Sequence, residues 1–428
     1  MQFQNNQQFA QSLDAADGLK NFRERFIFPQ HNGQDAIYFL GNSLGLQPKT
    51  TSTYINDELQ QWAQWGVEGF FMGNDPWLQF HQKLAAPMAK VVGALLHEVT
   101  IMNALTVNLH LMMVSFYQPQ GRRNKILCEA KAFPSDQYML ETHVKQRGLN
   151  PDEIIIEVAP RDGELTIREE DIIAAIEKHK DELALVLWGG VNYYTGQVFN
   201  MQAITKAAQA VGAKVGFDLA HAAGNLPLQL HDWNVDFACW CNYKYLNSGP
   251  GAVGGAYIHE RYHHDKTLNR FAGWWGYEKE TQFLMKQGFV PQASAEGWQL
   301  STASPLMYAG VKASLEIFAE AGMEALHNKG QQLSDYLLFL INDINQTSEF
   351  HFIQIITPPE AKGCQVSMLV SKGGKDVFRF LSESGVFADW REPDVIRMAP
   401  VPLYNTFEEV WRVGQILKEA GRHVKAGF

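Results

Sequence analysis

Residues 213–251, AKVGFDLAHAAGNLPLQLHDWNVDFACWCNYKYLNSGPG, hold two short apolar runs that each lead to a charged side chain. The first stops on Asp218, with His221 three residues later; the second, DFACWC, leads to Lys244 between two tyrosines. Lysine is among the residues least often buried, because its ammonium loses hydration there. A lysine at the mouth of a core strand must therefore face something. Apolar runs of this kind predict buried strands of a parallel sheet, in which ligands bind at the carboxyl ends.

Outward from that stretch the pattern repeats. KILCEA, EIIIEVAP, LALVLW and GGAYIH are further strand-like runs. Segments of helical period, such as IREEDIIAAIEKHKDE and MQAITKAAQAVG, lie between the earlier ones. The alternation predicts an α/β three-layer sandwich with a mostly parallel sheet. The first 60 residues read as a helix, an extended piece (AIYFLGNSLGLQP) and a second helix from about Lys49 to Gly66. After Pro305 comes one long helical stretch, VKASLEIFAEAGMEALHNKGQQLSDYLLFLINDI. FHFIQIIT, CQVSMLV, DVFRFLSESG, VIRMAP and a final helix then read as a smaller α+β domain. The expected division is 1–60 as a segment associated with the small domain, 61–310 as the large domain and 311–428 as the small one.

A formal net charge of −10 argues against nucleic acid, whose phosphates demand basic patches, and gives no reason to expect an anionic membrane. Four cysteines are too few for a disulfide framework, which fits a reducing compartment. The start, MQFQNNQQFAQSLDAADGLKN, lacks the basic and apolar regions of a signal peptide, and no apolar run of spanning length occurs. A soluble, cytoplasmic protein is expected.

Four features fall where strands are predicted to end or a helix to begin: Asp218 with His221, Lys244, Gly189 with Gly190, and Ala104-Leu105-Thr106 before an apolar helix. Singly, each has a plain structural reading. Asp218 would be a turn residue, His221 a satisfied core histidine, Lys244 a snorkelling side chain and Thr106 a helix cap. Together they fit one chemistry. An amine is nucleophilic only without its proton, and partial burial eases that loss. Pyridoxal 5′-phosphate needs such a lysine for a Schiff base and a carboxylate facing its pyridinium nitrogen. Its phosphate suits backbone N–H groups at a helix start, and its flat ring suits an aromatic face.

FDLAHAAGN followed by DFACWCNYKYLNSGPG resembles kynureninase, a fold-type-I pyridoxal-phosphate-dependent family of the aminotransferase class V superfamily. YFLGNSLGLQP, MNALTVNLHLMM, EAKAFPSDQY, YYTGQVFN, HDWNVDFACWCNYKYLN, GWWG and RMAPVPLYN resemble that family in the same order. The resemblance implies hydrolysis of L-kynurenine to anthranilate and L-alanine, in tryptophan degradation or NAD biosynthesis. It implies that Lys244 holds the cofactor, Asp218 pairs with the ring nitrogen and His221 lies beside it. Phe133 would stack on the ring, with Pro134, Ser135 and Asp136 close by. Leu105 and Thr106 would hold the phosphate, helped by Tyr243, which is also the candidate general base for hydrating the substrate carbonyl.

The family's site spans a homodimer interface, which would bring Trp274 and Thr302 from the second subunit. Arg397 would clamp the substrate α-carboxylate, a task suited to a guanidinium fork. Gly189 stands where many members have serine. Phe70 and Thr302 stand where animal members, which prefer 3-hydroxykynurenine, carry His and Asn. That difference predicts a preference for plain kynurenine.

Other motifs read as structural. Cys239 and Cys241 share a strand face and suit core packing; HERYHH, 259–264, suits a solvated loop; the glycines from Gly249 to Gly255 permit a tight bend. Rival functions are a cysteine desulfurase or an aminotransferase on the same fold, and a non-catalytic scaffold. A desulfurase would need a mobile cysteine, and Cys364 is the one cysteine of the small-domain region.

Overall fold

The computed structural model describes residues 2–347, 353–370 and 373–426. Helix α1 (Gln7–Ala16) opens the chain, followed by α2 (Thr51–Trp65) and α3 (Phe80–Val92). Then come β1 (Val99–Ile101), α4 (Leu105–Phe116), β2 (Lys125–Glu129), α5 (Pro134–Gln146) and the short α6 (Pro151–Ile154). The alternation continues through β3 (Ile155–Val158), α7 (Glu169–Lys178), β4 (Leu183–Gly189), α8 (Met201–Ala210) and β5 (Lys214–Asp218). It ends with β6 (Phe237–Trp240) and β7 (Gly255–Ile258).

These strands form one sheet in the order β1-β7-β6-β5-β4-β2-β3. Only β7 runs against the rest, pairing antiparallel with both β6 and β1. The sheet is therefore mostly parallel. The sequence gives little sign of β1, because three residues are too few for a strand period to register. Alternation along β4 divides the core. Val186 and Trp188 join one apolar cluster with helices α3, α8 and α9 (Pro305–Ala321), while Leu185 and Leu187 join another with α4 and α5. That is the three-layer arrangement.

The long helical stretch after Pro305 is two helices. Gly322, at φ 76° and ψ 137°, ends α9, and α10 (Met323–Thr347) starts at the next residue. A glycine accepts that left-handed conformation without a Cβ clash. The expected division at residue 310 falls inside α9, whose buried face packs with the large-sheet cluster. Beyond α10 lie β8 (Ile353–Ile355), β9 (Val366–Val370), α11 (Gly374–Glu383), β10 (Asp389–Arg391), β11 (Val395–Met398) and α12 (Phe407–Ala426). Residues 350–352 of the FHFIQIIT run lie outside the described residues; Ile353–Ile355 form β8. The four strands make an antiparallel sheet in the order β8-β9-β11-β10.

Helix α1 closes on this small sheet's helices. The Asp14 carboxylate accepts from the backbone N–H groups of Phe407 and Glu408, capping α12. Helix α2 instead packs against α9. The HERYHH segment departs from a solvated loop: His259 and His263 are buried. His259 stacks on His231, whose Nδ1 meets the buried Glu98 carboxylate at 3.0 Å. The reason is packing: Tyr262 joins an apolar core cluster, and His263 Nε2 meets Ile258 O at 2.9 Å directly after β7. Cys239 is buried in the core as expected.

Candidate active site

At the carboxyl edge of the large sheet lies a cavity of about 410 Å³, bordered by the ends of β2, β4, β5 and β6. Strand β6 ends at Trp240, and the chain turns through Asn242, Tyr243 and Lys244. That turn is held on three sides. The Asn242 side chain donates to Val253 O at 2.6 Å, Asn247 N–H donates to Lys244 O at 2.9 Å, and Gly45 N–H donates to Tyr243 O at 2.8 Å. Asn247, Gly249 and Gly251 all take positive φ, so the bend behind the lysine is tight. A Cβ at position 45 would stand 2.4 Å from Lys244 O, so only glycine permits this approach of the GNSLG loop.

Lys244 Nζ donates to His221 Nε2 at 3.1 Å. Burial, and after it the cations Lys244 and Arg397, hold the His221 imidazole well below its usual range. The ring is thus neutral. Its Nδ1 is buried without a partner. Asp218, ending β5, accepts from Ala220 N–H at 2.7 Å. Asp136 lies against Asp218; burial, then that neighbouring carboxylate, push the Asp136 carboxyl well above its usual range. Lys244 Nζ also stands 6.0 Å from the Phe133 ring centre.

Two helix starts converge on the same cavity. Helix α4 begins at Leu105 after an extended Ala104, and α5 begins with Pro134 after Phe133, neither with a side-chain cap. At the start of α4 the first N–H groups lack intrahelical partners. At that of α5 Pro134 has no N–H and Asp136 N–H donates to Phe133 O at 2.8 Å, which leaves Ser135 N–H. Both starts carry the positive helix end. Thr106 Oγ1 and Ser135 Oγ lie 2.7 Å apart, tying the two starts together. One end of the cavity therefore offers hydroxyls and free N–H groups, suited to a phosphate. The same cavity is also lined by the Asp218 carboxylate and the Lys244 amine.

A cavity of this size suits a small cofactor with substrate. The donor set fits pyridoxal 5′-phosphate: an amine for its aldehyde, a carboxylate for its ring nitrogen, helix starts for its phosphate. Tyr243 lines the same wall. Burial pushes its phenol above the usual range, with Cys241 adding to the effect.

The opposite wall comes from the small sheet. Asp389 of β10 is the ladder partner of Arg397 of β11. Arg397 Nη2 pairs with Asp389 Oδ2, and Arg391 reaches the same oxygen at 3.1 Å. Arg397 Nη1 donates to the carbonyl of Tyr193. Arg397 is almost wholly buried, yet its Nε and that of Arg391 have no partner. Both arginines line the cavity.

Of the residues singled out from sequence, Leu105, Thr106, Phe133, Ser135, Asp136, Gly189, Asp218, His221, Tyr243, Lys244 and Arg397 meet at this cavity. Pro134 stands behind it as the first residue of α5. Phe70, Trp274 and Thr302 do not line it. Phe70 packs edge-on to Trp77 at 5.3 Å and beside Trp275 at 6.2 Å. Trp274 and Thr302 are exposed.

Sequence reasoning missed Asn42, Ser43, Glu129, Val191, Tyr193 and Arg391. Glu129 was findable, since it ends its strand as Asp218 does: KILCE and KVGFD share one pattern. The others sit on loops or on a three-residue strand, where periodicity carries no signal. The GNSLG loop reaches the site only through tertiary packing.

Comparison with known proteins gives consistent results. Residues 326–417 match the family model described as the kynureninase C-terminal domain. A kynureninase from Flavobacterium johnsoniae is 54% identical over 421 residues, covering 98% of this chain and 99% of that protein. One from Myxococcus xanthus is 49% identical, with 98% of each covered. Among solved structures, a C-DES mutant with glycine covalently linked to its PLP cofactor aligns with a TM-score of 0.75. It is 18% identical and covers 90% of this chain and 96% of its own. A cysteine desulfurase from Thermococcus onnurineus, in its apo form, also aligns at 0.75, with 17% identity and coverage of 91% and 95%. At such identity these two show the fold alone.

Proposed function

The chain belongs to the kynureninase family, and we propose that its cavity hydrolyses the Cβ–Cγ bond of L-kynurenine to anthranilate and L-alanine, using pyridoxal 5′-phosphate. The observation that carries this reading is the joint placement of Lys244, Asp218 and two uncapped helix starts around one cavity, faced by Arg397. When bound, the cofactor supplies an electron sink for the carbanions at the carbons next to the broken bond. Lys244 Nζ anchors the cofactor and then takes and returns the proton at substrate Cα. Neutral His221 steadies that amine through its 3.1 Å contact.

Arg397, oriented by Asp389 and Tyr193, holds the α-carboxylate, and Arg391 adds a second cation beside it. Phe133 supplies an apolar wall, and Leu105, Thr106 and Ser135 take the phosphate. Tyr243 would reach the phosphate beside them. It is also the candidate for the group that activates water at the substrate carbonyl.

The rival desulfurase lacks support. Cys364 is buried and burial pushes its thiol up to about 12, so it is neither mobile nor ready to ionise.

A homodimer with shared sites is supported by an exposed apolar patch. Phe283, Leu284 and Met285 are each more than half exposed, at 51%, 62% and 69%. Phe283 joins them to Trp274 at 5.4 Å and Phe71 at 6.0 Å between ring centres. Exposed patches of this kind mark protein contacts. In a dimer the patch would carry Trp274, Thr302 and Phe70 towards a second copy's cavity. A cytoplasmic place in tryptophan breakdown fits the four unpaired, buried thiols.

The test is to add L-kynurenine to purified protein with pyridoxal phosphate and follow fluorescent anthranilate. Product formation is expected, and none under saturating cofactor would overturn the reading. Phe70 gives a 3-hydroxyl group no partner, so kcat/KM should favour plain kynurenine. A clear preference for the hydroxylated substrate would sink that part.

A further inference from the structure

Glu129 ends β2 and has no part in the reading above. Its side chain is buried, lines the cavity and accepts from Asn192 Nδ2 at 2.9 Å. Asn192 is itself fixed, its Oδ1 accepting from the N–H groups of Tyr194 and Thr195 at 3.0 and 2.8 Å. Room for the carboxyl exists because residue 189 is glycine: a Cβ there would stand 2.7 Å from Glu129 Oε1. The carboxyl is built into the wall.

Its surroundings are acidic. Asp218 faces it from β5 and Asp136 from α5. On its own strand Cys128 keeps its proton through burial, and Glu157 of β3 pairs across from that cysteine. Asn192 is neutral. Of the cations lining the cavity (Lys244, Arg391 and Arg397), Lys244 acts on Asp136 and contacts neutral His221. Like charges gathered in a low-dielectric wall disfavour one another's ionised forms. Burial, partly offset by Asn192 and reinforced by Asp218, pushes Glu129 up to about 7.

We propose that Glu129, tethered by Asn192 in the space Gly189 leaves, is a positioning residue that holds a proton in the cofactor-free protein and releases it to water when a cationic ring nitrogen settles against Asp218. The inference rests on the assignment of Asp218 to that nitrogen. Only the carboxyl O–H bond breaks, and the carboxylate formed balances the entering positive charge.

The experiment is calorimetry of pyridoxamine 5′-phosphate binding to the full-length cofactor-free protein, in buffers of different ionisation enthalpy. Near pH 6, wild type should release close to one proton more than Glu129→Gln, and the difference should vanish above about pH 8. Below about pH 7, wild-type Kd should fall up to about tenfold per pH unit relative to the variant. Equal proton release by the two proteins overturns the inference. If Glu129→Gln does not fold, Glu129→Ala serves, since it too removes the carboxyl; wild-type proton release there would likewise overturn it. Asp218→Asn separates the two claims. Binding as tight as wild type by Asp218→Asn sinks the Asp218 assignment. Weak binding by Asp218→Asn, with a wild-type proton count in Glu129→Gln, sinks the Glu129 inference alone.

Discussion

Lys244 owes its setting to neighbours that are far away in sequence. His221 takes its hydrogen bond, and Gly45 pins the carbonyl just before it. Replacing Lys244 with Ala should lower turnover by about a thousandfold or more, read as anthranilate release, because anchor and proton carrier are lost together. Glu129 gives a pH signature in stability. Its folded pKa lies above its unfolded value, so its contribution is present below about 4.5 and lost as pH rises through about 7. Relative to Glu129→Gln, the cofactor-free protein should lose roughly 3 kcal/mol of stability across that window, measured by urea melts at successive pH values. Chemical type at strand ends made Lys244 and Asp218 legible in the sequence, whereas Arg397 was named only through the family resemblance. Asn42 and Tyr193 were not legible, because they reach the cavity only through packing and their residue types carry no functional signal.

Strands and helices of the large sheet were read from sequence where apolar runs were long, as in LALVLW and KVGFD. The direction of β7 was not, since hydrogen-bond direction leaves no mark on composition. The helix break at Gly322 shows how one residue divides an otherwise continuous periodic pattern. Gly322→Ala should destabilise the protein by about 1–3 kcal/mol, seen as a lower denaturant midpoint with an unchanged slope, because φ 76° with ψ 137° suits glycine almost alone. Strands β10 and β11 together orient the substrate clamp, with Asp389 set opposite Arg397 by register. Arg397→Lys keeps the charge but loses the fork. It should raise KM by about tenfold or more with a smaller change in kcat.

The whole molecule joins two walls, one from the large sheet and one from the small sheet, around a single cavity. The proposed dimer would cover its apolar patch at Phe71, Trp274 and Phe283–Met285. Changing Leu284 and Met285 together to Glu should shift the protein to monomer in sedimentation and cut kcat/KM by about tenfold or more, since Trp274 would leave the partner's site. If the double variant stays dimeric and active, the patch has another use. The capping of α12 by Asp14 adds a consequence for synthesis. On the ribosome, α1 emerges hundreds of residues before the helix whose N–H groups it satisfies, so it must wait for α12 to be made. The wall from Leu105 to Lys244 is complete long before Arg391 and Arg397 appear. A growing or truncated chain thus displays the lysine side of its site while the arginine side is still missing, and the order of translation fixes which half of the chemistry is assembled first.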